Sequence, residues 1–170
     1  MKWGLTGTPG TGKTTVGDAL ECNFRVVHLH ELIEEPRFRV GKDQERDTIV
    51  ADVDALSAWL ADQPDELLVE SHLAHLLPVD RVVVLRCHPD RLDERLQARA
   101  GMTSAKREEN IEAERLDLIL SEAIDQHGMD AVFEVDTTDR DAPRVAKIVD
   151  QIIAGTRNPR PGNVSFLSDP

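Results

Sequence analysis

Apolar positions along this chain fall into two kinds of stretch. The first kind is short and nearly solid: Lys2–Thr6, Arg25–Leu29, Glu66–Glu70, Arg81–Arg86 and Ala131–Asp136. Runs of this length, rich in Val and Leu, predict parallel strands covered on both faces. The second kind is longer, with apolar residues three or four apart. Val53, Leu56 and Leu60 mark one such face over Val53–Ala61, and Val145, Ile148 and Ile152 mark another over Pro143–Ala154. Helical patterns also cover Gly12–Glu21, Asp90–Ala100 and Ser104–Gln126. Strands alternating with helices predict an α/β fold, with a five-stranded parallel sheet flanked by helices. Crossovers should be right-handed and ligands should bind at the carboxyl ends of the strands.

Two polar segments interrupt the alternation, at residues 30–50 and 99–108. Inserts at the carboxyl end of such a sheet are where substrate sites and lids are built, although plain surface loops would read the same way. The last stretch, Thr156–Pro170, is rich in Pro, Asn, Gly and Ser, and a mobile tail is expected there.

The first run leads directly into Gly7-Thr8-Pro9-Gly10-Thr11-Gly12-Lys13-Thr14, a full match to G-x-x-x-x-G-K-[ST] between a strand and a helix. This is the phosphate-binding loop of P-loop NTPases. Its glycines let successive backbone N–H groups point at phosphate oxygens, and the following helix start adds its positive end. Gly10, Gly12, Lys13, Thr14 and Thr15 are expected to hold a nucleoside triphosphate. Lys13 should reach the β- and γ-phosphates, and the Thr14 hydroxyl should ligate Mg²⁺.

Composition narrows the classes. A chain of 170 residues suits one domain, and a net charge of −12 argues against a broad nucleic-acid surface. The lysines are Lys2, Lys13, Lys42, Lys106 and Lys147, and every other basic residue apart from histidine is arginine. An acid-rich, lysine-poor surface suits a salt-rich cytoplasm, and equally an ordinary acidic one; refolding in low and molar salt separates the two. Cys22 and Cys87 match no metal spacing and read as reduced thiols. The P-loop begins at residue 7, which leaves no signal pattern before it, and no apolar run approaches a membrane span. A cytoplasmic location is expected. The absence of Asn-Lys-x-Asp disfavours a GTPase, and the size and two inserts suit a small nucleotide kinase.

Three segments carry a resemblance. Leu5–Thr15 looks like the P-loop of the adenylate kinase isoenzyme six (CINAP) family and its archaeal relatives. Leu68-Val69-Glu70-Ser71-His72 is similar to that family's acid-x-His motif at a strand end. Glu109-Asn110-Ile111-Glu112-Ala113-Glu114 resembles its helix after the lid. The resemblance spans about residues 3–155. It implies a P-loop kinase domain over residues 1–155, with a monophosphate-binding insert at about 30–50 and a short lid at about 98–108. It further implies a nucleoside-monophosphate kinase that interconverts ATP plus AMP with two ADP. ATPase activity and a role in late maturation of the small ribosomal subunit, through one of its proteins, would accompany this. The alternative is an ATPase switch on that ribosomal partner, with incidental kinase turnover.

By the same resemblance, Glu70 is the acidic partner of Thr14 for Mg²⁺. Eukaryotic members tend to have aspartate there, so the longer Glu70 would act through a water. His72 either positions a water or the transferring phosphoryl group, or is a hydrogen-bonded loop histidine. Arg91, Arg95 and Arg99 recur at i, i+4 and i+8 among acids, so they read as a salt-bridged helix face or as lid-base phosphate clamps. The resemblance favours the clamp, with Arg99 first, then Arg95, and Arg107 closing from the far side. The insert has Glu34 where related enzymes have an arginine for the monophosphate, so Arg37 and Arg39 are the expected substitutes. Asp136-Thr137-Thr138 either lies near the base or is an ordinary turn.

Overall fold

Alternation inside each apolar run decides how the sheet is covered. The computed structural model describes residues 1–170 except 44–47, 159 and 167–170. Five parallel strands form one sheet: β1 (Lys2–Gly7), β2 (Arg25–His28), β5 (Leu67–Glu70), β6 (Arg81–Arg86) and β7 (Val132–Asp136). Their order is β2-β5-β1-β6-β7. Leu67, Val69, Val82, Val84 and Val132 point to one face. They pack there on helices α3 (Val53–Ala61) and α6 (Leu118–His127) through Leu56, Leu60, Leu120 and Ala123. Leu5, Leu68, Val83, Leu85 and Val135 point to the other face. That face is covered by α1 (Lys13–Asp18) and α7 (Ala142–Ile153), the latter burying Val145, Ile148, Val149 and Ile152. Each fully buried Leu or Val contributes roughly 1.5–3 kcal/mol. The helix starts follow their caps: Asp52 accepts from the Ala55 N–H and Asp141 from the Arg144 N–H.

The strand order reverses at β1, so the crevice at its carboxyl end is the topological switch point. Leu5 of β1 pairs with Glu70 of β5, and Gly7 pairs with Leu85 of β6. This register brings the P-loop, Glu70 and Arg86 to the same end of the sheet.

Two expectations are corrected. The long helix expected over Ser104–Gln126 is two helices, α5 (Ser104–Arg115) and α6, broken where Asp117 takes φ 54°. The break lets the Asp117 carboxylate meet the buried Arg86 guanidinium. The polar insert contains a short α2 (Leu29–Ile33), a 3-10 turn at Pro36–Phe38, and an antiparallel pair, β3 (Arg39–Asp43) with β4 (Thr48–Ala51). Residues 44–47 of this insert lie outside the described residues. In the tail, where mobility is expected, contacts to the domain are made by Asn163, Val164 and Phe166. That ring is buried, 5.3 Å edge-on from His88 and 5.2 Å from the Arg86 guanidinium carbon. The Asn163 and Val164 N–H groups donate to Glu134 Oε2 at 3.0 and 3.1 Å, supplying the donors that this buried carboxylate needs.

Candidate active site

Glycine chemistry shapes the P-loop. Gly10 sits at φ 97°, where a β-carbon would stand 2.8 Å from the Leu92 side chain of helix α4 (Pro89–Gln97). Only glycine fits both the backbone angle and that close approach. The loop curls so that Lys13 folds back over it: Nζ donates to the carbonyls of Gly7 at 2.8 Å and Thr8 at 3.1 Å. Burial pushes the Lys13 pKa down to about 8. Glu70 resists the fall, Arg99 adds to it, and Glu114 resists it. Lys13 thus stays mostly protonated at neutral pH.

Gly10, Gly12, Lys13, Thr14 and Thr15 all line a cleft of about 1090 Å³. Glu70 and His72 line its other side. Glu70 is buried at the end of β5 and accepts from the Thr14 hydroxyl at 3.2 Å. These two are hard oxygen donors at the open mouth of the loop, so they fit a magnesium ion as the motif implies. Glu70 Oε2 also lies 2.8 Å from His28 Nδ1, while His28 Nε2 lies 3.1 Å from Asp18. Burial opposes charge on His28, but the Glu70 hydrogen bond and charge, then Asp18, outweigh it and raise its pKa.

His72 behaves oppositely. Its ring is exposed to the cleft, yet the cleft walls crowd it. That desolvation, followed by the charge of Lys13 and then His75, pushes its pKa down to about 4. The imidazole is therefore neutral at pH 7.

The expected arginines divide. Helix α4 stops at Gln97, which turns Arg99 off the helix face and into the cleft. Lys106 of α5 joins it there. Arg95 does not reach the cleft: it donates to the Thr137 hydroxyl and to the carbonyls of Thr137 and Thr138. Arg107 pairs with Asp93 at 3.1 Å, outside the angles of a hydrogen bond, and also stands outside the cleft lining. Arg37 is exposed, bonded to Glu35 and 4.6 Å from the Phe38 ring centre. Arg39 donates to the Ile33 carbonyl at 2.7 Å and borders a separate depression of about 480 Å³ on the hairpin. Neither lines the nucleotide cleft.

Sequence reasoning missed the brace behind the P-loop. Glu114 of α5 is buried and accepts from the Thr8 hydroxyl, from Arg86 Nε at 2.8 Å and from the Cys87 N–H at 2.9 Å. Arg86 also pairs with Glu134 at 2.8 Å and with Asp117. Thr137 extends the brace: its N–H donates to the Arg86 carbonyl, and its hydroxyl lies 3.1 Å from the Thr11 carbonyl. Asp136–Thr138 is therefore a turn that supports the P-loop, with Thr138 bonded to Asp136. The one available signal was an arginine ending a strand of solid apolar residues, where a buried cation must find buried acids.

Comparison with known proteins agrees with this geometry. The AAA domain family matches residues 4–117. A chain from Natronomonas pharaonis, named "putative adenylate kinase", is 51% identical over 98% of both chains. One of the same name from Halobacterium salinarum is 46% identical over 98% of both. Two solved structures share the fold. A deoxyadenosine kinase from M. mycoides superposes with a TM-score of 0.58 at 14% identity, over 92% of this chain and all of that one. A shikimate kinase from Bacteroides thetaiotaomicron gives 0.51 at 18%, over 91% and 98%. Among the described residues no helix is long and apolar enough to cross a membrane.

Proposed function

Since the chain belongs to the AAA-domain family of archaeal "putative adenylate kinase" chains, we propose that it is a nucleoside-monophosphate kinase that converts ATP and AMP into two ADP. The observation that carries this reading is the convergence on one cleft of the P-loop, Glu70, His72 and the lid cations Arg99 and Lys106.

In the reaction, an AMP phosphate oxygen forms a bond to the γ-phosphorus of ATP as the bond from that phosphorus to the β–γ bridging oxygen breaks. Negative charge gathers on the transferring oxygens, so catalysis is mainly positioning and charge stabilisation. Lys13 exchanges its two loop carbonyls for phosphate oxygens. Arg99 and Lys106 approach from the lid and neutralise the migrating group. Thr14 and Glu70 would hold magnesium, which, when bound, shields the phosphate charge. The brace of Glu114 and Arg86 keeps the loop N–H groups aimed without reorganisation.

One observation favours a second reading. Arg37 and Arg39 stand outside the cleft, and His72 is neutral beside Lys13 with no hydrogen-bond partner among the described residues. A weakly held acceptor and a ring able to position water suit ATP hydrolysis. This is the switch of the isoenzyme-six type, in which an acidic surface meets a basic ribosomal protein.

A panel of AMP, dAMP, CMP, UMP and GMP, each with Mg–ATP, tests the proposal by the diphosphate formed. Faster turnover of AMP than of the others supports it. Equal, trace turnover of all five, with steady phosphate release, replaces it with the second reading.

A further inference from the structure

We propose that His28, His30 and Glu70 form a binding site for a single imidazole-preferring divalent ion of the Zn²⁺ class. The nitrogen and oxygen ligand atoms of these three residues lie within 4.8 Å of one another. They come from one short piece of structure: His28 ends β2, His30 follows in the first turn of α2, and Glu70 ends the neighbouring strand β5, paired with His28 in register.

Three features separate this cluster from a chance grouping of polar residues. The set contains two imidazoles and one carboxylate, which suits zinc or cobalt rather than magnesium. A carboxylate already stands behind the first ligand. Asp18 lies 3.1 Å from His28 Nε2, so it fixes the ring with Nδ1 facing Glu70. Metal-bound histidines characteristically carry such a partner. Finally, the site is open on one side: His30 is exposed and lines the cleft, which leaves room for a water or a phosphate as fourth ligand.

Closure needs little movement. Bonds of about 2.0–2.1 Å place tetrahedral ligands roughly 3.4 Å apart. Glu70 and His28 Nδ1, at 2.8 Å, need only part slightly, and the larger adjustment falls on His30, whose ring centre is 5.8 Å from that of His28. Because Glu70 Oε2 also accepts from Thr14, an ion held here draws the carboxylate away from the P-loop hydroxyl. The site would thus be filled in the nucleotide-free protein. The inference rests on these side chains and not on the kinase reading.

The test is equilibrium dialysis of the full nucleotide-free chain against Zn²⁺, with visible absorption of the Co²⁺-substituted protein as a second readout. One ion per chain is expected, with a tetrahedral Co²⁺ spectrum. His30→Asn, at an exposed position that leaves folding intact, should weaken binding by about 10-fold or more. Arg37→Ala, which removes no ligand and lies outside the cleft lining, should bind as the parent does. Absence of stoichiometric binding overturns the site, and so does binding that His30→Asn leaves unchanged.

Discussion

The P-loop side of the nucleotide cleft and the insert of residues 29–51 are built on opposite plans. On the bank made by the P-loop, β6 and α5, charge is buried and shared. Arg86 sits among Glu114, Glu134 and Asp117, and Glu114 reaches on to Thr8 of the loop. In the insert of residues 29–51, of which His30 lines the cleft, the charges among the described residues are local and at the surface. Arg37 meets Glu35 two residues away, Arg39 meets the Ile33 carbonyl, and Val40, Ile49 and Val50 are left exposed. The difference teaches that the triphosphate half of the site is preformed. The acceptor half, among the described residues, brings no arginine of its own insert into the cleft.

Breaking the buried bank should have the largest effect. Arg86→Met keeps the volume but leaves Glu114 and Glu134 buried without a cation, at a cost of about 3–5 kcal/mol. Urea unfolding checks this, and a loss below 1 kcal/mol would mean that the brace is not structural. Next comes Lys13→Ala, which removes a donor to the transferring phosphoryl group and should lower kcat about 10²–10³-fold. Unchanged folding by circular dichroism would place that loss in chemistry.

A smaller effect sharpens the contrast. Arg37→Ala should leave the KM for AMP within about twofold, because its guanidinium is exposed and spent on Glu35 and Phe38. A tenfold rise would show that the insert swings its arginine into the cleft. The smallest effect expected is at His72. With its pKa pushed down to about 4, the ring is neutral throughout pH 5.5–8, and its charged form gains only as pH falls towards 4. Its ring C2 proton signal should hold steady over that range in NMR; a midpoint near 6.5 would contradict the crowded-cleft account.

The same contrast explains what was legible in the sequence. Strands such as Arg81–Arg86 and the helix Val53–Ala61 appear at the expected bounds, since burial on a sheet imposes a period that one segment displays by itself. The triphosphate residues Gly10, Gly12, Lys13, Thr14 and Thr15 were legible for the same reason, being local in sequence. The β3–β4 pair was not, although the alternation in Arg39-Val40-Gly41 and Thr48-Ile49-Val50 carried a faint signal. Its apolar side chains face outward, so no core enforces the pattern. The break at Asp117 and the brace through Glu114 depend on Arg86, about thirty residues away, and spacing along the chain cannot reveal such partners. Arg95 and Arg107 illustrate the converse. The family resemblance implied phosphate clamps for both, but here Arg95 bonds to Thr137 and Thr138 and Arg107 pairs with Asp93, outside the cleft lining.

The most direct test of the central claim follows the γ-phosphate itself. ATP labelled on that group is incubated with AMP, magnesium and the protein in molar KCl, with Lys13→Ala as the control. The account predicts label in the β-position of newly formed ADP, at a rate far above its appearance as free phosphate, and neither product with Lys13→Ala. Label released as free phosphate at a rate that AMP does not change would contradict it.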